Sequence, residues 1–403
     1  MAESAHVLSR RSRSGHDRIG RRGKTIVTAL FPYQEDGARF IASLPRAGLF
    51  DEPGIGKTAQ AIRAADLRGA RRGWVICPAI AREHWKHEFA NFGRLPRRVI
   101  KAETHHDFTA WCHGRFDVLV ASYEMATKWS RHLDARAETL PFAILDEGHY
   151  LKDPNTKRSK ALLGVGGQQR GAMMWAEWSA WLTGTAVPNS PADIFTFLRY
   201  AGAVDMAPGE FERLYFHIRP RAYSSALTVK PTMAEPLRQL IGRYSLRRVL
   251  ADTGMQLPPI WITTQVVDGD TSAVRDLLLA YPGIDEAIRL LLSEGHGLSR
   301  LDADHIATLR RLIGEAKALP YAAMLRYELT AGGVDKMVTF GLHRQALATV
   351  HQFLTGHGID CVLVNGSTSE ADRVAAQERF RNDPTCRVFL ANIRAAGTAL
   401  TLT

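Results

Sequence analysis

A short glycine-rich segment that ends in lysine and threonine is the part of this sequence best suited to bind a polyphosphate. Its sequence is Asp51-Glu52-Pro53-Gly54-Ile55-Gly56-Lys57-Thr58. A loop of this kind surrounds phosphate oxygens with backbone N–H groups, and the dipole of the helix that follows it favours anions. We expect the backbone of Gly54, Ile55 and Gly56 to contact phosphate. Lys57 would reach the β- and γ-phosphates, and the Thr58 hydroxyl would bind Mg²⁺.

Two acidic residues follow an apolar run later in the chain. Phe142-Ala143-Ile144-Leu145 reads as a buried parallel strand. Such a strand would deliver Asp146 and Glu147 to its carboxyl end, where α/β sheets bind ligands. Asp146 is expected to hold Mg²⁺ together with Thr58, and Glu147 to orient or deprotonate the attacking water. A solvated acidic turn is the alternative interpretation of this pair.

A third apolar run ends in small hydroxyl residues, with the sequence Trp181-Leu182-Thr183-Gly184-Thr185-Ala186. The glycine loop departs from the strict pattern, because Asp51 stands where a first glycine is usual, and a chance match in a surface turn would explain the loop alone. Chance does not readily explain three features in this order, each after a strand-like run. Together they predict a nucleoside triphosphatase.

The composition is that of an ordinary globular protein, with 45% apolar residues in a chain of 403. This length is sufficient for two or three domains. No stretch has the ~20 uninterrupted apolar residues of a membrane span, and the amino terminus lacks the apolar core of a secretory signal. We therefore expect no membrane partner.

The cysteines are scattered and form no CxxC pair; they are Cys77, Cys112, Cys361 and Cys386. This usage favours a reducing compartment, so we expect a cytoplasmic protein. Cys112-His113 and His105-His106 come nearest to a metal cluster. Their spacing is not that of ligands, so we expect surface residues there and no structural zinc.

The chain is basic, with a formal net charge of +11. Between Arg10 and Lys24, seven basic residues accompany a single acidic one, Asp17. Residues 1–24 contain few apolar side chains, so we expect a disordered basic tail. It would serve as a non-specific arm for nucleic-acid phosphates or be a solvated tail with no role, and the sequence does not separate these alternatives.

The remaining chain divides into three parts. Residues 25–196 alternate short apolar runs with helical patterns, which predicts a parallel α/β sheet covered on both faces. Strands are expected over residues 74–77, 118–121, 142–145 and 180–182, and helices over residues 59–68 and 82–89. Residues 197–334 are expected to form helical insertions and a linker, with Pro258-Pro259 as an interruption.

Residues 335–403 form the third part, where strands are expected over residues 337–340, 361–364 and 387–391. Helices are expected between them over residues 345–355 and 369–381. A parallel sheet needs its edges and faces covered, and we expect this second α/β unit to be incomplete.

Ordered motifs along the chain resemble those of the SWI/SNF-type, superfamily 2 helicase-like ATPases, particularly compact bacterial, phage and annealing-helicase-like members. The resemblance runs from about Leu30 to the last residue. The motifs that carry it are Phe31-Pro32-Tyr33-Gln34, residues 51–58 (motif I), Val75-Ile76-Cys77-Pro78 (motif Ia), Val120-Ala121-Ser122-Tyr123-Glu124 (motif Ib), Asp146-Glu147-Gly148-His149 (motif II), Leu182-Thr183-Gly184-Thr185 (motif III), Leu246-Arg247-Arg248 with Leu257-Pro258-Pro259, residues 336–340 (motif IV) and residues 395–403 (motif V).

The resemblance implies two RecA-like lobes that bind ATP and Mg²⁺ and move along duplex DNA. It implies that Gln34 pairs with adenine; an ordinary exposed glutamine is the alternative. It further implies that three residues couple the nucleotide to the DNA groove, namely His149, Thr183 and Thr185. The DNA contacts would include Pro78, Ser122, Tyr123, Gly397 and Thr398.

Motif VI, which supplies arginines to the γ-phosphate in this family, has no match in these residues. The sequence therefore leaves three hypotheses open. The first is an ATP-dependent DNA translocase. The second is an ATP- and DNA-binding module without efficient turnover unless a second polypeptide supplies the arginine motif, and the third is an RNA helicase of the same superfamily.

Overall fold

A computed structural model of the chain describes residues 28–136, 139–165, 169–220, 225–255, 261–281, 283–284 and 300–393. The expected basic tail over residues 1–24 lies outside these ranges. Leu257-Pro258-Pro259 and the predicted DNA contacts Gly397 and Thr398 also lie outside them. Among the described residues, no helix combines the length and the apolar character needed to cross a membrane.

Seven parallel strands form the largest sheet, and its carboxyl edge is where the predicted motifs meet. Numbered along the chain, its strands are β1 (Arg46–Leu49), β2 (Gly73–Cys77), β3 (Val99–Lys101), β4 (Val118–Ser122), β5 (Leu140–Asp146), β8 (Ala176–Leu182) and β11 (Ser245–Leu246). Two antiparallel ribbons carry the remaining numbers, β6 (Gly164–Val165) with β7 (Gln169–Arg170) and β9 (Phe216–Pro220) with β10 (Ser225–Val229). The spatial order of the large sheet is β11-β1-β8-β5-β2-β4-β3. Because β1, β8 and β5 are neighbours, the three chain segments that leave them lie side by side.

The helices of this first unit occupy residues before, between and after the strands. They are α1 (Pro32–Ser43), α2 (Lys57–Leu67), α3 (Arg82–Phe92), α4 (His105–Cys112), α5 (Tyr123–Arg136), α6 (Lys157–Leu163), α7 (Phe195–Tyr200), α8 (Pro208–Tyr215) and α9 (Pro231–Tyr244). Short 3₁₀ turns also occur, at Ala79–Ala81, Gly148–Leu151, Ala172–Trp175, Pro191–Ile194 and Leu250–Thr253.

Strand β2 shows why both faces of the sheet are covered. Its residues point alternately to opposite faces, so Trp74 and Ile76 join one apolar core while Val75 and Cys77 join another. All four side chains are completely buried. A continuous apolar strand of this kind is typical of a parallel sheet between two helical layers.

A smaller parallel sheet forms the second unit. Its strands are β12 (Met337–Gly341), β13 (Asp360–Val364) and β14 (Cys386–Asn392), in the spatial order β12-β14-β13. The accompanying helices are α10 (Ser272–Ala280), α11 (Arg300–Thr330), α12 (Arg344–Gly356) and α13 (Glu370–Asn382). Helix α11 packs against α12, with Leu325 and Leu347 in a shared core.

The observed elements agree with the predicted α/β class. Every predicted strand and helix exists, and most of their ends lie within a few residues of the expected positions. Two differences affect the site. The four-residue strand β1 was not predicted, although the glycine loop follows it. Strand β11 and the β9–β10 ribbon lie in residues 197–334, which were expected to be helices and linker, and β11 extends the first sheet beyond residue 196.

Candidate nucleotide-binding site

The glycine loop connects β1 to the first turn of α2. Gly54 and Gly56 have φ angles of 87° and 84°, in the left-handed region that favours glycine. At Gly56 a side chain is excluded for a second reason, because a Cβ atom would lie 2.2 Å from Gln34 Nε2. Helix α2 begins at Lys57, so its unpaired N–H groups lie at the loop and favour an anion there.

The Lys57 side chain lies over the loop that carries it. Its Nζ donates to the carbonyl oxygens of Asp51 and Glu52, over 2.8 and 3.2 Å. Burial lowers the pKa of Lys57, although the carboxylates of Glu147, Asp146 and Asp51 act in the opposite direction. The ammonium group is therefore already held near the loop, by carbonyl contacts that a phosphate oxygen could replace.

Gln34 is buried beside this loop, which excludes the interpretation as an exposed surface residue. Its Nε2 donates to the Ile55 carbonyl over 3.3 Å, and its Oε1 accepts from Phe31 N over 3.0 Å. The Tyr33 hydroxyl donates to the same Ile55 carbonyl over 3.2 Å. The adenine contact of Gln34 stays a prediction, but α1 does place Gln34 against the phosphate loop.

Asp146 ends strand β5 and has a defined partner at each carboxylate oxygen. Trp85 Nε1 donates to Oδ2 over 2.8 Å, and Glu147 N donates to Oδ1 over 3.1 Å. Burial raises the pKa of Asp146 to about 6, against the opposing effect of the Trp85 hydrogen bond. The sequence analysis did not identify this contribution of Trp85.

Glu147 and the three predicted coupling residues converge at one point. His149 Nδ1 lies 3.0 Å from Glu147 Oε2 and 3.0 Å from Thr183 Oγ1. The Thr183 hydroxyl donates to Glu147 Oε2 over 3.2 Å, and Thr185 Oγ1 lies 3.3 Å from His149 Nδ1. Burial acts to raise the pKa of Glu147. The hydrogen bond and charge of His149 outweigh this effect and hold the pKa of Glu147 below its usual value. The carboxylate therefore stays ionised at neutral pH.

The backbone at Glu147 is strained. Its φ of 50° is the only positive φ of a non-glycine residue among the described residues, a conformation that costs about 1–3 kcal/mol. The following Gly148 permits close packing, because a Cβ atom there would lie 2.2 Å from Trp181 Nε1. This tight turn directs the Glu147 carboxylate towards the β8 loop.

The loop that follows β8 also contacts the glycine loop. Thr183 N donates to the Leu49 carbonyl of β1 over 3.1 Å. A Cβ atom on Gly184 would lie 3.0 Å from the Pro53 ring, so the two loops pack closely at this point. The phosphate loop, Glu147 and the Thr183 loop thus form one connected edge.

The oxygen donors at this edge are chemically suited to a hard divalent cation. Thr58 supplies a hydroxyl in the first turn of α2, and Asp146 supplies a carboxylate at the end of β5. Each Asp146 oxygen has one observed donor and retains further acceptor capacity. Hydroxyl and carboxylate oxygens are the ligands that Mg²⁺ prefers, so these residues fit the metal predicted from the sequence.

The predicted DNA contacts in the first unit are buried. Tyr123 is only 1% exposed and Ser122 only 5%, and Pro78 is buried as well. The Tyr123 hydroxyl donates to the Asp146 carbonyl over 2.8 Å, so the Tyr123 side chain contacts the end of strand β5. This geometry does not support direct DNA contacts by these three side chains.

A buried ionic cluster behind the loop was missed by the sequence reasoning. Asp51, the residue that replaces the usual glycine, is completely buried and pairs with Arg248. The acidic residue at a position where glycine is usual was a signal that could have indicated a buried ion pair at Asp51. Its partner is 197 positions away, and no local pattern identifies it.

The parallel sheet, the glycine loop and the acidic turn at its carboxyl edge define a phosphate-loop nucleotide-binding protein. Residues 33–268 match the family model described as the SNF2-related domain. The match covers more than half of the chain, and the chain therefore belongs to this family of helicase-like ATPases. The membership predicted from the motifs is confirmed.

Several curated relatives match nearly the whole chain. One is the SWI/SNF-related matrix-associated actin-dependent regulator of chromatin subfamily A-like protein 1 homolog of Caenorhabditis elegans, which is 24% identical over 94% of this chain and 53% of its own length. Another is the human DNA annealing helicase and endonuclease ZRANB3, 24% identical over 93% of this chain and 34% of its own length. The chain spans about half, or less, of these relatives.

Among solved structures, the Sulfolobus solfataricus SWI2/SNF2 ATPase core in complex with dsDNA is similar to this chain. The similarity has a TM-score of 0.46 and 18% sequence identity, and it covers 91% of this chain and 79% of the other. The Sulfolobus solfataricus SWI2/SNF2 ATPase core domain is also similar, with a TM-score of 0.44.

Proposed function

We propose that this chain is a DNA-dependent ATPase that hydrolyses ATP to move along duplex DNA. The observation that carries the proposal is the convergence of Glu147, His149 and Thr183 beside the phosphate loop of Lys57. A carboxylate that is ionised, oriented and adjacent to a phosphate site has the properties of a base for water attack. The SNF2-related family match adds independent support.

In this proposal the loop binds the nucleotide through its backbone N–H groups, and Lys57 exchanges its carbonyl partners for phosphate oxygens. Thr58 and Asp146 would hold Mg²⁺, which neutralises charge on the β- and γ-phosphates when it is bound. Glu147 Oε2 is the atom that His149 and Thr183 contact. We therefore assign Oε1 as the atom that accepts a proton from the attacking water.

The same contacts could couple ATP hydrolysis to movement of the loop after β8. When Glu147 Oε1 accepts a proton, the negative charge that His149 and Thr183 face is lost. Thr185 contacts both His149 and Thr183. Its hydroxyl lies near His149 Nδ1, and its backbone N–H donates a hydrogen bond to Thr183 Oγ1 over 3.1 Å. In this proposal ATP hydrolysis thereby alters the contacts of the loop after β8. Closure and opening of the two units would convert this change into movement along DNA.

Duplex DNA is the proposed substrate for this movement, because the second unit has a basic surface. A cavity of about 610 Å³ is lined by Arg310, His343, Arg344 and Arg373, among others. These side chains surround the carboxyl end of the smaller sheet, where they can approach phosphates without reading bases. The curated relative named as a DNA annealing helicase favours DNA over RNA.

Displacement of a third strand from a duplex tests the proposal directly. A translocase removes a bound triplex-forming strand when ATP is present, without separating the duplex. We expect displacement by the wild-type chain with ATP, and none with a non-hydrolysable analogue or with Lys57→Ala. Binding to the triplex substrate without ATP-dependent displacement would instead support a nucleotide-dependent DNA-binding module.

A further inference from the structure

Behind the phosphate loop, Arg248 forms the centre of a buried polar cluster. It lies just after strand β11 and contacts Asp51 at both carboxylate oxygens. Arg248 Nη2 lies 2.5 Å from Oδ2, while Nε and the backbone N lie 3.2 and 3.0 Å from Oδ1. The Asp51 side chain has no solvent exposure, and that of Arg248 is 13% exposed.

The same guanidinium contacts two helices. Arg248 Nη2 donates to Gln60 Oε1 on α2 over 2.6 Å, and Nη1 donates to the Tyr33 carbonyl on α1. Gln60 Nε2 donates to Asp51 Oδ2 over 3.2 Å and to the Ile55 carbonyl over 3.4 Å. The Ile55 carbonyl is the loop atom that Tyr33 and Gln34 also contact, so the cluster reaches the centre of the phosphate loop.

Helix α1 leaves space for this cluster at Gly37. A Cβ atom at this position would lie 1.9 Å from Gln60 Oε1 and 2.5 Å from Arg248 Nη2. Gly37 lies within the helix, where glycine is less favourable than alanine by about 1 kcal/mol. The space that it leaves is needed for the polar cluster, so the absence of a side chain there has a structural reason.

The chain around Arg248 runs alongside the loop and bonds to its backbone. Phe50 N donates to the Leu246 carbonyl over 2.7 Å, and Glu52 N donates to the Arg248 carbonyl over 3.0 Å. Leu250 N donates to Glu52 Oε2 over 2.8 Å. Residues 246–250 therefore continue the pairing of β11 with β1 along the first half of the phosphate loop.

We propose that Arg248 is a positioning residue of the nucleotide site, which sets the shape of the phosphate loop through Asp51 and Gln60. The inference rests on the proposed binding of ATP by this loop. A buried ion pair is weak evidence for stability, since desolvation offsets its attraction. The fixed geometry of this ion pair is better explained by the need to hold the loop backbone where its N–H groups can contact phosphate.

The test compares two buried ion pairs at opposite ends of α2. Asp51→Asn with Arg248→Gln removes both charges near the loop and leaves groups that can still form hydrogen bonds. The matched control is Asp66→Asn with Arg97→Gln, because that pair is 2.7 Å apart with side chains only 1% and 2% exposed. Calorimetry measures the Kd of Mg-ATP and Mg-ADP, and thermal unfolding of each variant measures stability.

We expect the loop variant to bind both nucleotides about tenfold more weakly or worse, while the control retains wild-type affinity. Arg248→Lys is the second test: it keeps the positive charge near Asp51 but lacks the planar fork that contacts Asp51, Gln60 and Tyr33 together. This variant should therefore also lose nucleotide affinity, at an unfolding temperature close to that of the wild type.

Wild-type nucleotide affinity in both the loop double variant and Arg248→Lys would overturn the inference, since the cluster would then be structural only. Should the double variant fail to fold, wild-type affinity in Arg248→Lys would still overturn it. Equal losses in the loop and control variants would also overturn it. A wild-type chain that binds no Mg-ATP would instead refute the proposed function itself.

Discussion

Glu147 is the side chain to which we assign proton transfer, and its environment is the basis of that assignment. His149 and Thr183 contact one of its oxygens, and its backbone adopts a strained left-handed conformation. Strain of this kind persists only where surrounding contacts compensate for it, and it is common at functional sites. The arrangement fits a residue that must be ionised and fixed in direction before water attacks.

The first prediction concerns Glu147→Gln. The amide preserves the size of the side chain but cannot accept a proton from water, so turnover should fall by about 10²–10⁴-fold. Mg-ATP affinity should change little, because we assign the phosphate contacts to the loop. Single-turnover hydrolysis and calorimetry measure the two quantities. Glu177→Gln, at an exposed position on β8, serves as the control, and parallel loss of affinity and turnover would contradict the assigned role.

The second prediction concerns the pH dependence of metal-assisted binding. Burial raises the pKa of Asp146 to about 6, above its ordinary value. The folded chain therefore favours the protonated carboxyl, and stability contributed by this group is lost as the pH rises through about 6. Because Mg²⁺ requires the ionised form, Mg-ATP affinity should weaken as the pH falls through about 6.

Two variants should move this midpoint in opposite directions. Trp85→Phe removes a hydrogen bond that lowers the pKa of Asp146, so the midpoint should rise. Glu147→Gln removes a neighbouring negative charge that raises the pKa, so the midpoint should fall. Calorimetric titrations between pH 5 and 8 measure both shifts, with ATP in the absence of Mg²⁺ as the reference; shifts in the same direction would contradict this account.

At the level of elements, the phosphate loop depends on the packing of α1 against α2. Gly56 has a left-handed φ and lies against Gln34 of α1. The third prediction is that Gly56→Ala reduces stability by about 1–3 kcal/mol and also weakens Mg-ATP binding. Gly69→Ala is the matched control, since Gly69 has a φ of 66° but a Cβ atom there would meet nothing within 4 Å.

Urea unfolding and calorimetry separate the two effects in these glycine variants. Gly69→Ala should reduce stability through backbone strain alone and keep its nucleotide affinity. Gly56→Ala should lose both stability and affinity, because the added methyl group displaces Gln34 from the loop. Normal affinity in Gly56→Ala would show that contact between the loop and α1 is not needed for binding.

Long apolar runs made most elements predictable, whereas the shortest strands depended on tertiary contacts. The prediction found β2, β4 and β5 because their residues are continuously apolar. It missed β1, which has four residues, and β11, which has two, because neighbouring strands define them more than local preference does. The residues to which we assign a role at the nucleotide were predicted by motif. The contacts of Arg248 and Trp85 were not predicted, because they join residues that are distant in sequence.

At the scale of the whole molecule, the second unit contributes a basic cavity at the carboxyl end of its sheet. Arg344 begins α12 and donates to Ser367 Oγ over 3.1 Å, and Arg310 approaches the same cavity from α11. The fourth prediction is that Arg344→Ala weakens binding to duplexes of every sequence. The negative slope of log K against log salt should become shallower by about 1, since one phosphate contact is lost.

Fluorescence anisotropy over a range of salt concentrations measures this slope. The control is Arg238→Ala, which removes an equally long side chain that is 74% exposed on α9 and paired with Glu235. Arg238→Ala should leave affinity and slope close to those of the wild type. The same decrease in both variants would mean that the cavity is not a specific DNA surface.

Steady-state ATP hydrolysis with and without duplex DNA is the measurement that tests the central claim most directly. The account predicts that duplex DNA increases the turnover of the wild-type chain by about tenfold or more, and that Lys57→Ala removes this turnover. Tight Mg-ATP binding with no turnover in either condition would contradict the account. The chain would then be a nucleotide-dependent DNA-binding module.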